Sequence, residues 1–147
     1  MAVRIIDEDL MLIPYYPNTE AALPWYSDPD VCKQVDNIDS VYTPEMLSGM
    51  YNYLNTHGRL YYIQYRGNLV GDVCLRDNAE VCIVVCKEYQ NRHIGRRCIA
   101  EMVKLAAEAG LTRIKAHIYS FNTQSQAMFR ACGFAHTGGE WYELKIT

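Results

Sequence analysis

The stretch from Val81 to Gly95, VCIVVCKEYQNRHIG, places an apolar run ahead of a short polar loop and a helix start. A loop of this kind turns several backbone N–H groups toward one point. The first turn of the helix adds its unpaired N–H groups and the positive end of its dipole. Together these make a site for a phosphate or pyrophosphate. Two common phosphate patterns are excluded. No Gly-Lys-Ser/Thr ending is present, and no GxGxxG follows a strand that opens a βαβ unit. The candidate anion-binding segment is therefore Gln90, Asn91, Arg92, His93, Ile94, Gly95 and Arg96, with the two arginines as additional positive charge.

The helix behind this loop is legible in its spacing. Ile94, Cys98, Ile99, Met102, Val103, Leu105, Ala106 and Ala109 form an apolar stripe. Arg96, Arg97, Glu101, Lys104 and Glu108 are expected on the opposite face, and Gly110 is a suitable stop. Elsewhere, a strand is expected over Leu10 to Pro14, then a helix capped by Asn18 and Thr19 running toward Tyr26 with Pro24 inside it. Thr43-Pro44-Glu45 is a helix start, with the helix running to about Asn55. Leu60 to Tyr65 and Leu69 to Leu75 read as a hairpin around Arg66-Gly67-Asn68. Strands are expected over Ala79 to Val85 and Arg113 to Tyr119. Asn122 caps a further helix that Gly133 ends, and Phe134 to Thr137 with Trp141 to Ile146 close as a hairpin. The expected fold is α/β: one domain over residues 1–147 with a mixed, largely antiparallel sheet flanked by helices.

Gln90-Asn91-Arg92-His93-Ile94-Gly95 resembles the Q/R-x-x-G-x-G/A segment of the GNAT superfamily of N-acetyltransferases. Asn122 to Phe134, NTQSQAMFRACGF, resembles the family's closing segment, an Asn at a helix start followed by a helix that ends in Gly-Phe. The resemblance covers about residues 60 to 140 in order and spacing. Leu23 to Val31 is similar to an early helical segment of the branch that includes ribosomal-protein N-terminal acetyltransferases and some aminoglycoside acetyltransferases.

The resemblance implies a GNAT-like fold, acetyl-coenzyme A as cosubstrate without a metal, and an amine acceptor, either a small amine or a protein N-terminus. It implies that the loop from Gln90 to Arg96 holds the pyrophosphate, that Val85 lies on the strand that pairs with the pantetheine arm, and that Asn122 contacts coenzyme A. Ala79-Glu80 matches the pair that often supplies a catalytic carboxylate, so Glu80 is the expected base or water-positioning group. The competing reading of Glu80 is a solvated strand end. Two positions depart from the family pattern. His93 replaces the usual first loop glycine, and a positive φ there costs more for His than for Gly. Phe129 replaces a Tyr that protonates the leaving thiolate in many members. Ser125, three residues after Asn122, fits the branch that lacks this Tyr; it is either only a third-position residue of the helix or a group near the thioester sulfur, the role the resemblance implies. A non-catalytic coenzyme A-binding sensor and a binder of longer acyl chains are the rival readings.

Acyl transfer to an amine requires loss of a proton from nitrogen, a polarised carbonyl and a leaving thiolate. Holding both substrates together supplies much of the effect without a covalent enzyme intermediate. For the acceptor, Tyr15, Tyr16, Tyr26, Tyr42, Tyr51 and Tyr53 lie in the first third of the chain near Asp28, Asp30, Asp36 and Asp39. Aromatic groups with carboxylates suit a cation, although most of these residues are expected to be ordinary core, surface and caps.

Composition narrows the alternatives. The chain has 147 residues, half of them hydrophobic, and a net charge of −3. That length suits one sizeable core. The acidic balance argues against nucleic acid as a partner. With no long apolar run or leader pattern, a soluble cytoplasmic protein without membrane contact is expected. The six cysteines contain no CxxC pair. Cys82 and Cys86 stand about 13 Å apart along a strand, too far to share a metal. The four histidines lack ligand spacing, so no metal is expected. A homodimer is compatible with this reading.

Overall fold

The apolar-rich runs LYYI, LVGDVCL and VCIVV, separated by polar turns, fold into the antiparallel meander at the centre of the molecule. The computed structural model describes residues 1–146; Thr147, the last residue of the expected domain, lies outside the described residues. The elements run β1 (Arg4–Ile5), β2 (Leu10–Pro14), α1 (Thr19–Tyr26), α2 (Pro29–Asp36), α3 (Pro44–Thr56), β3 (Gly58–Tyr65), β4 (Asn68–Arg76) and β5 (Val81–Val85). A 3-10 turn at Lys87–Tyr89 leads to α4 (Ile94–Glu108), β6 (Arg113–His117), α5 (Thr123–Ala131), β7 (Ala135–Gly138) and β8 (Trp141–Lys145).

The strands form two antiparallel sheets, ordered β1-β2-β3-β4-β5 and β6-β8-β7. A bridge between Glu80 and Lys115, parallel in sense, joins them. There the Lys115 N–H donates to the Ala79 carbonyl at 3.0 Å. Past this rung β5 and β6 have different partners, and a cleft lined by β5, the loop before α4, α2 and α5 lies beyond it. The mixed sheet expected from the sequence is thus two antiparallel sheets meeting at one parallel contact among the described residues.

Period-2 alternation divides β4 and β5 between two helical layers. Val70, Asp72, Cys74 and Arg76 share a face with Cys82 and Val84, because Asp72 pairs with Val84 and Cys74 with Cys82. Helices α1 and α3 pack against that side of the meander, while α4 packs against β4, β5 and β6. The other face carries Val73, Val81 and Ile83, and a Cβ added at Gly95 in α4 would lie 3.9 Å from Ile83. A continuous apolar core runs through both sheets.

Three local expectations need correction. The segment after Tyr26 contains a separate helix, α2, whose cap Asp28 accepts from the Asp30 N–H and whose first residue is Pro29. Strand β5 begins at Val81 rather than Ala79, because Ala79 has φ 71° and turns the chain. Glu101, placed on the polar face of α4, is buried. It accepts from Arg4 Nε at 2.9 Å, and Arg4 also reaches Glu108, so β1 supplies the partner that makes this burial tolerable.

Candidate active site

The loop before α4 is built to present N–H groups. Asn91 and His93 both adopt left-handed backbone, with φ 62° and 61°. His93 is the N-cap of α4, but its side chain makes no capping bond. The first hydrogen bond of the helix runs from the Arg97 N–H to the His93 carbonyl. Among the described residues, nothing accepts from the backbone N–H groups of Asn91 through Arg96. Six neighbouring donors at a positive helix end are a nest for an anion.

The loop is held from both sides. Gln90 Nε2 donates to the Val85 carbonyl at 2.9 Å and to Gln34 Oε1 of α2 at 3.2 Å. Lys87 pairs with Asp30, again on α2. Gly95 is not required by the protein's own packing. A Cβ there would meet only Met128 Cε at 3.6 Å and Ile83 Cδ1 at 3.9 Å, which are ordinary contacts. A glycine at this position leaves room above the N-terminal turn.

From this nest a cleft of about 470 Å³ runs along β5. The Arg76 N–H donates to Glu80 and the Cys86 N–H to Val70, so even-numbered residues of β5 spend their backbone groups on β4. Ile83 therefore turns its N–H and carbonyl, and Val85 its N–H, to the side away from β4, the Val85 carbonyl being taken by Gln90. An extended amide-containing chain lying there meets an open strand edge. The cleft is lined by Val85, Gln90, Asn91, His93, Ile94, Gly95, Arg96, Asn122 and Ser125, all singled out from the sequence. Arg92 is not among its lining residues; its guanidinium lies over the Tyr89 ring at 5.0 Å. Asn122 caps α5 by accepting from the Ser125 N–H at 3.2 Å.

A second cavity, of about 550 Å³, lies on the face covered by α1 and α3. Gln34, Val35, Ile83, Val84, Asn122 and Ser125 line both cavities and mark their junction. Glu80 lies in the second cavity, with its side chain 14% exposed and Oε1 accepting from Arg76 Nη1 at 3.2 Å. It is thus an ion-paired group in a cavity rather than a freely solvated strand end. Arg76 also donates to Tyr53 Oη at 3.1 Å, and its Nε has no partner among the described residues. Phe129 is buried against Phe134 at a ring separation of 5.0 Å.

Of the residues expected near an acceptor, Tyr26, Tyr42, Tyr53 and Asp36 line this cavity. Tyr15 and Tyr16 instead pack against the Tyr62 ring, tilted and edge-on, Asp28 caps α2, Asp30 pairs with Lys87, and Asp39 lies 3.5 Å from Lys33. Sequence reasoning missed Asp72, which is 3% exposed and accepts the hydroxyls of Tyr26 and Tyr51, both at 2.7 Å. Burial pushes its carboxyl up to about 6, against the two hydrogen bonds that lower it. The available signal was a charged residue inside an otherwise apolar run, VGDVCL. Among the described residues, no group of three or more His, Cys, Asp or Glu side chains could hold a metal. No described helix is long and apolar enough to cross a membrane.

Residues 20–134 match the model of the acetyltransferase (GNAT) family. No curated protein matches the chain significantly. Solved structures with the same fold include a GNAT-family acetyltransferase from Bacillus anthracis, with 20% identity, TM-score 0.81, and coverage of 95% of this chain and 96% of that one. A spermidine N-acetyltransferase from Vibrio cholerae, in complex with coenzyme A and spermine, gives 18% identity, TM-score 0.76, and coverage of 95% and 94%. A ribosomal L7/L12 α-N-protein acetyltransferase in complex with coenzyme A gives 14% identity, TM-score 0.75, and coverage of 99% and 98%.

Proposed function

The chain belongs to the GNAT family of acetyltransferases, and on that premise we propose that it transfers an acetyl group from acetyl-coenzyme A to a primary amine by direct attack within a ternary complex. The observation that carries this reading is the set of unpaired N–H groups from Asn91 to Arg96 at the end of an open strand edge. The nest takes the pyrophosphate. The edge at Ile83 and Val85 pairs with the pantetheine amides, which directs the thioester toward the junction at Val84 and Ser125. Arg96 and Arg92 add mobile charge near the phosphates, and Asn122 adds a polar contact beside the arm.

The amine enters from the second cavity. Glu80 takes up the proton released when nitrogen attacks, directly or through a water that it positions. Ser125, at the junction, supplies a proton to the leaving sulfur or orients the water that does, since Phe129 has no proton to give. The acceptor is a small amine or a protein N-terminus, the two classes on which the spermidine and ribosomal-protein enzymes act. We place the reaction in the cytoplasm, without a nucleic-acid or membrane partner, with a homodimer as the assembly to test by sedimentation.

The direct test is binding and turnover. Acetyl-coenzyme A should raise the melting temperature, because a ligand selective for the folded state stabilises it by mass action; at 100 times Kd the gain is about 2.7 kcal/mol. Spermidine and a short peptide with a free N-terminal serine are the first acceptors to assay. The absence of both a thermal shift and a calorimetric signal at millimolar acetyl-coenzyme A would refute the proposal.

A further inference from the structure

We propose that Asp72 recognises the acceptor: its open carboxylate oxygen, on the floor of the second cavity, binds the incoming ammonium group and takes its first proton. This rests on the acetyl-transfer reading above and names the group that selects the substrate.

Asp72 lies mid-strand between Gly71 and Val73, where burial of a charge is costly. Its Oδ2 receives both tyrosine hydroxyls, one from α1 and one from α3, and these fix the rotation of the carboxylate. Oδ1 accepts no hydrogen bond from any described residue. It is not sealed either, because Arg76 Nε is the enclosed side-chain polar atom that lacks a partner among the described residues. A carboxylate with a purely structural task is normally satisfied on both oxygens. Here one oxygen is clamped and the other opens into a cavity large enough for a substrate.

The position is also right for the chemistry. Asp72 pairs with Val84, and Val84 lines both cavities, so Oδ1 opens close to where the thioester is directed. Glu80 is four residues from Val84 along the chain, about 13 Å at the usual strand rise, and is engaged by Arg76. The two carboxylates thus have separate tasks.

The ammonium R–NH3⁺ gives one proton to Asp72 Oδ1, which frees the nitrogen lone pair. Nitrogen bonds to the thioester carbonyl carbon and gives its second proton to a relay of waters in the second cavity that ends at Glu80. The carbon–sulfur bond breaks with its electron pair on sulfur, and sulfur gains a proton from the Ser125 side. The products are the amide and the free thiol, with one net proton released to solvent per acetyl transferred.

Because Asp72 titrates at about 6, ammonium binding should weaken as pH falls through that value. The other groups around it do not account for such a limb. Burial raises Tyr26 of α1, Tyr42 ahead of α3, Tyr51 of α3 and Tyr62 of β3, so all remain neutral. Cys74 is raised to about 12 and Cys82 of β5 is raised as well. The charges that remain are the Arg76–Glu80 pair, Asp36 of α2, and His117 of β6, which lies 3.3 Å from Glu140. His117→Gln is therefore the control.

The experiment measures binding of 2-phenylethylammonium and of 2-phenylethanol by calorimetry from pH 5 to 8.5, with kcat/KM for an amine that is turned over. The wild type should bind the ammonium progressively more weakly below pH 6 and the alcohol equally at every pH. Asp72→Asn should bind the ammonium at least tenfold more weakly at pH 7.5 and lose the acidic limb, while binding the alcohol as before. Tyr51→Phe removes a hydrogen bond that lowers the Asp72 pKa, so its limb should move to higher pH; this variant keeps the test available if Asp72→Asn does not fold. His117→Gln should keep the limb in place. A limb that persists in Asp72→Asn or stays fixed in Tyr51→Phe overturns the assignment, as does equal binding of ammonium and alcohol. Failure of acetyl-coenzyme A to bind while the ammonium still depends on Asp72 would remove only the acetyl-transfer reading. Turnover with wild-type behaviour in both variants would remove only Asp72.

Discussion

Replacing Glu80 with Gln separates chemistry from scaffolding, because the two effects have different sizes. Gln keeps the shape and can still accept from Arg76 Nη1, now 3.2 Å from Oε1, but it loses the charge and the capacity to take a proton. The ion pair is partly exposed, with Arg76 at 24% and Glu80 at 14%. Its loss should cost about 1 kcal/mol, above an exposed pair and below the 3–5 kcal/mol of a broken buried one. For a chain of this length that is a fall in Tm of about 2–4 °C. A positioned base contributes about 10²–10⁴ in rate, or roughly 3–5 kcal/mol of barrier. Turnover should therefore fall a hundredfold or more while the protein remains folded and acetyl-coenzyme A affinity is nearly unchanged. The defect should be largest near neutral pH and shrink as pH rises, because hydroxide then takes the proton that nitrogen releases on attack. The six cysteines are all free thiols, so thiol reagents give a background, and mass detection of the acetylated amine is the better assay. Wild-type turnover, or a defect equal at every pH, would show that Glu80 only orients the site or supports the strand.

Two further substitutions test the framework around the site. Gly95→Glu should weaken acetyl-coenzyme A binding far more than Arg92→Ala, since the first sets a carboxylate against the phosphates and the second removes a charge that already rests over Tyr89; equal losses by calorimetry would mean that side-chain charge, not the backbone nest, holds the phosphates. Gly71→Ala should destabilise by several kcal/mol in urea denaturation, because the new Cβ would sit 2.0 Å from the Val84 carbonyl oxygen and force β4 and β5 apart at the Asp72 rung; a loss below about 0.5 kcal/mol would show that the rung relaxes freely.

The legible parts of this chain are those whose signal is local. Thr43-Pro44-Glu45 caps and starts α3, with the Thr43 hydroxyl accepting from the Met46 N–H, and Asn122 caps α5 in the same way. Leu10–Pro14 emerged with the expected bounds, and the loop ahead of α4 was readable from its polar run between two strongly apolar segments. What escaped depends on contacts between distant residues. Strand β1 is two residues long and exists through pairing with β2 and the reach of Arg4 to Glu101 and Glu108. No periodicity in α4 separates Glu101 from its solvated neighbours, because the cation that hydrogen-bonds to it, Arg4, lies 97 residues away, beyond the looser contact with Lys104. Arg76 and Glu80 meet because the turn at Ala79 returns the chain on itself.

Asp72 escaped for a different reason: it breaks the rule by which strands were found. Its folded-state pKa, about 6, stands above the ordinary 3.8, so burial disfavours the charged form. The sign follows from linkage. The favourable contribution of this group is fully present below about pH 4, declines as pH rises through 6, and is gone above it. At about 1.36 kcal/mol per unit, keeping Asp72 ionised near neutrality costs the fold roughly 3 kcal/mol, a large part of a typical domain's net stability. A neutral side chain that accepts the Tyr26 and Tyr51 hydroxyls would avoid that cost. Positions where a local rule is broken without a structural return are where function is expected. An anion held half-satisfied in the second cavity, paired across the sheet with Val84 at the junction, gains its return when a cation arrives, and this ties a costly buried charge of the meander to the selection of the acceptor.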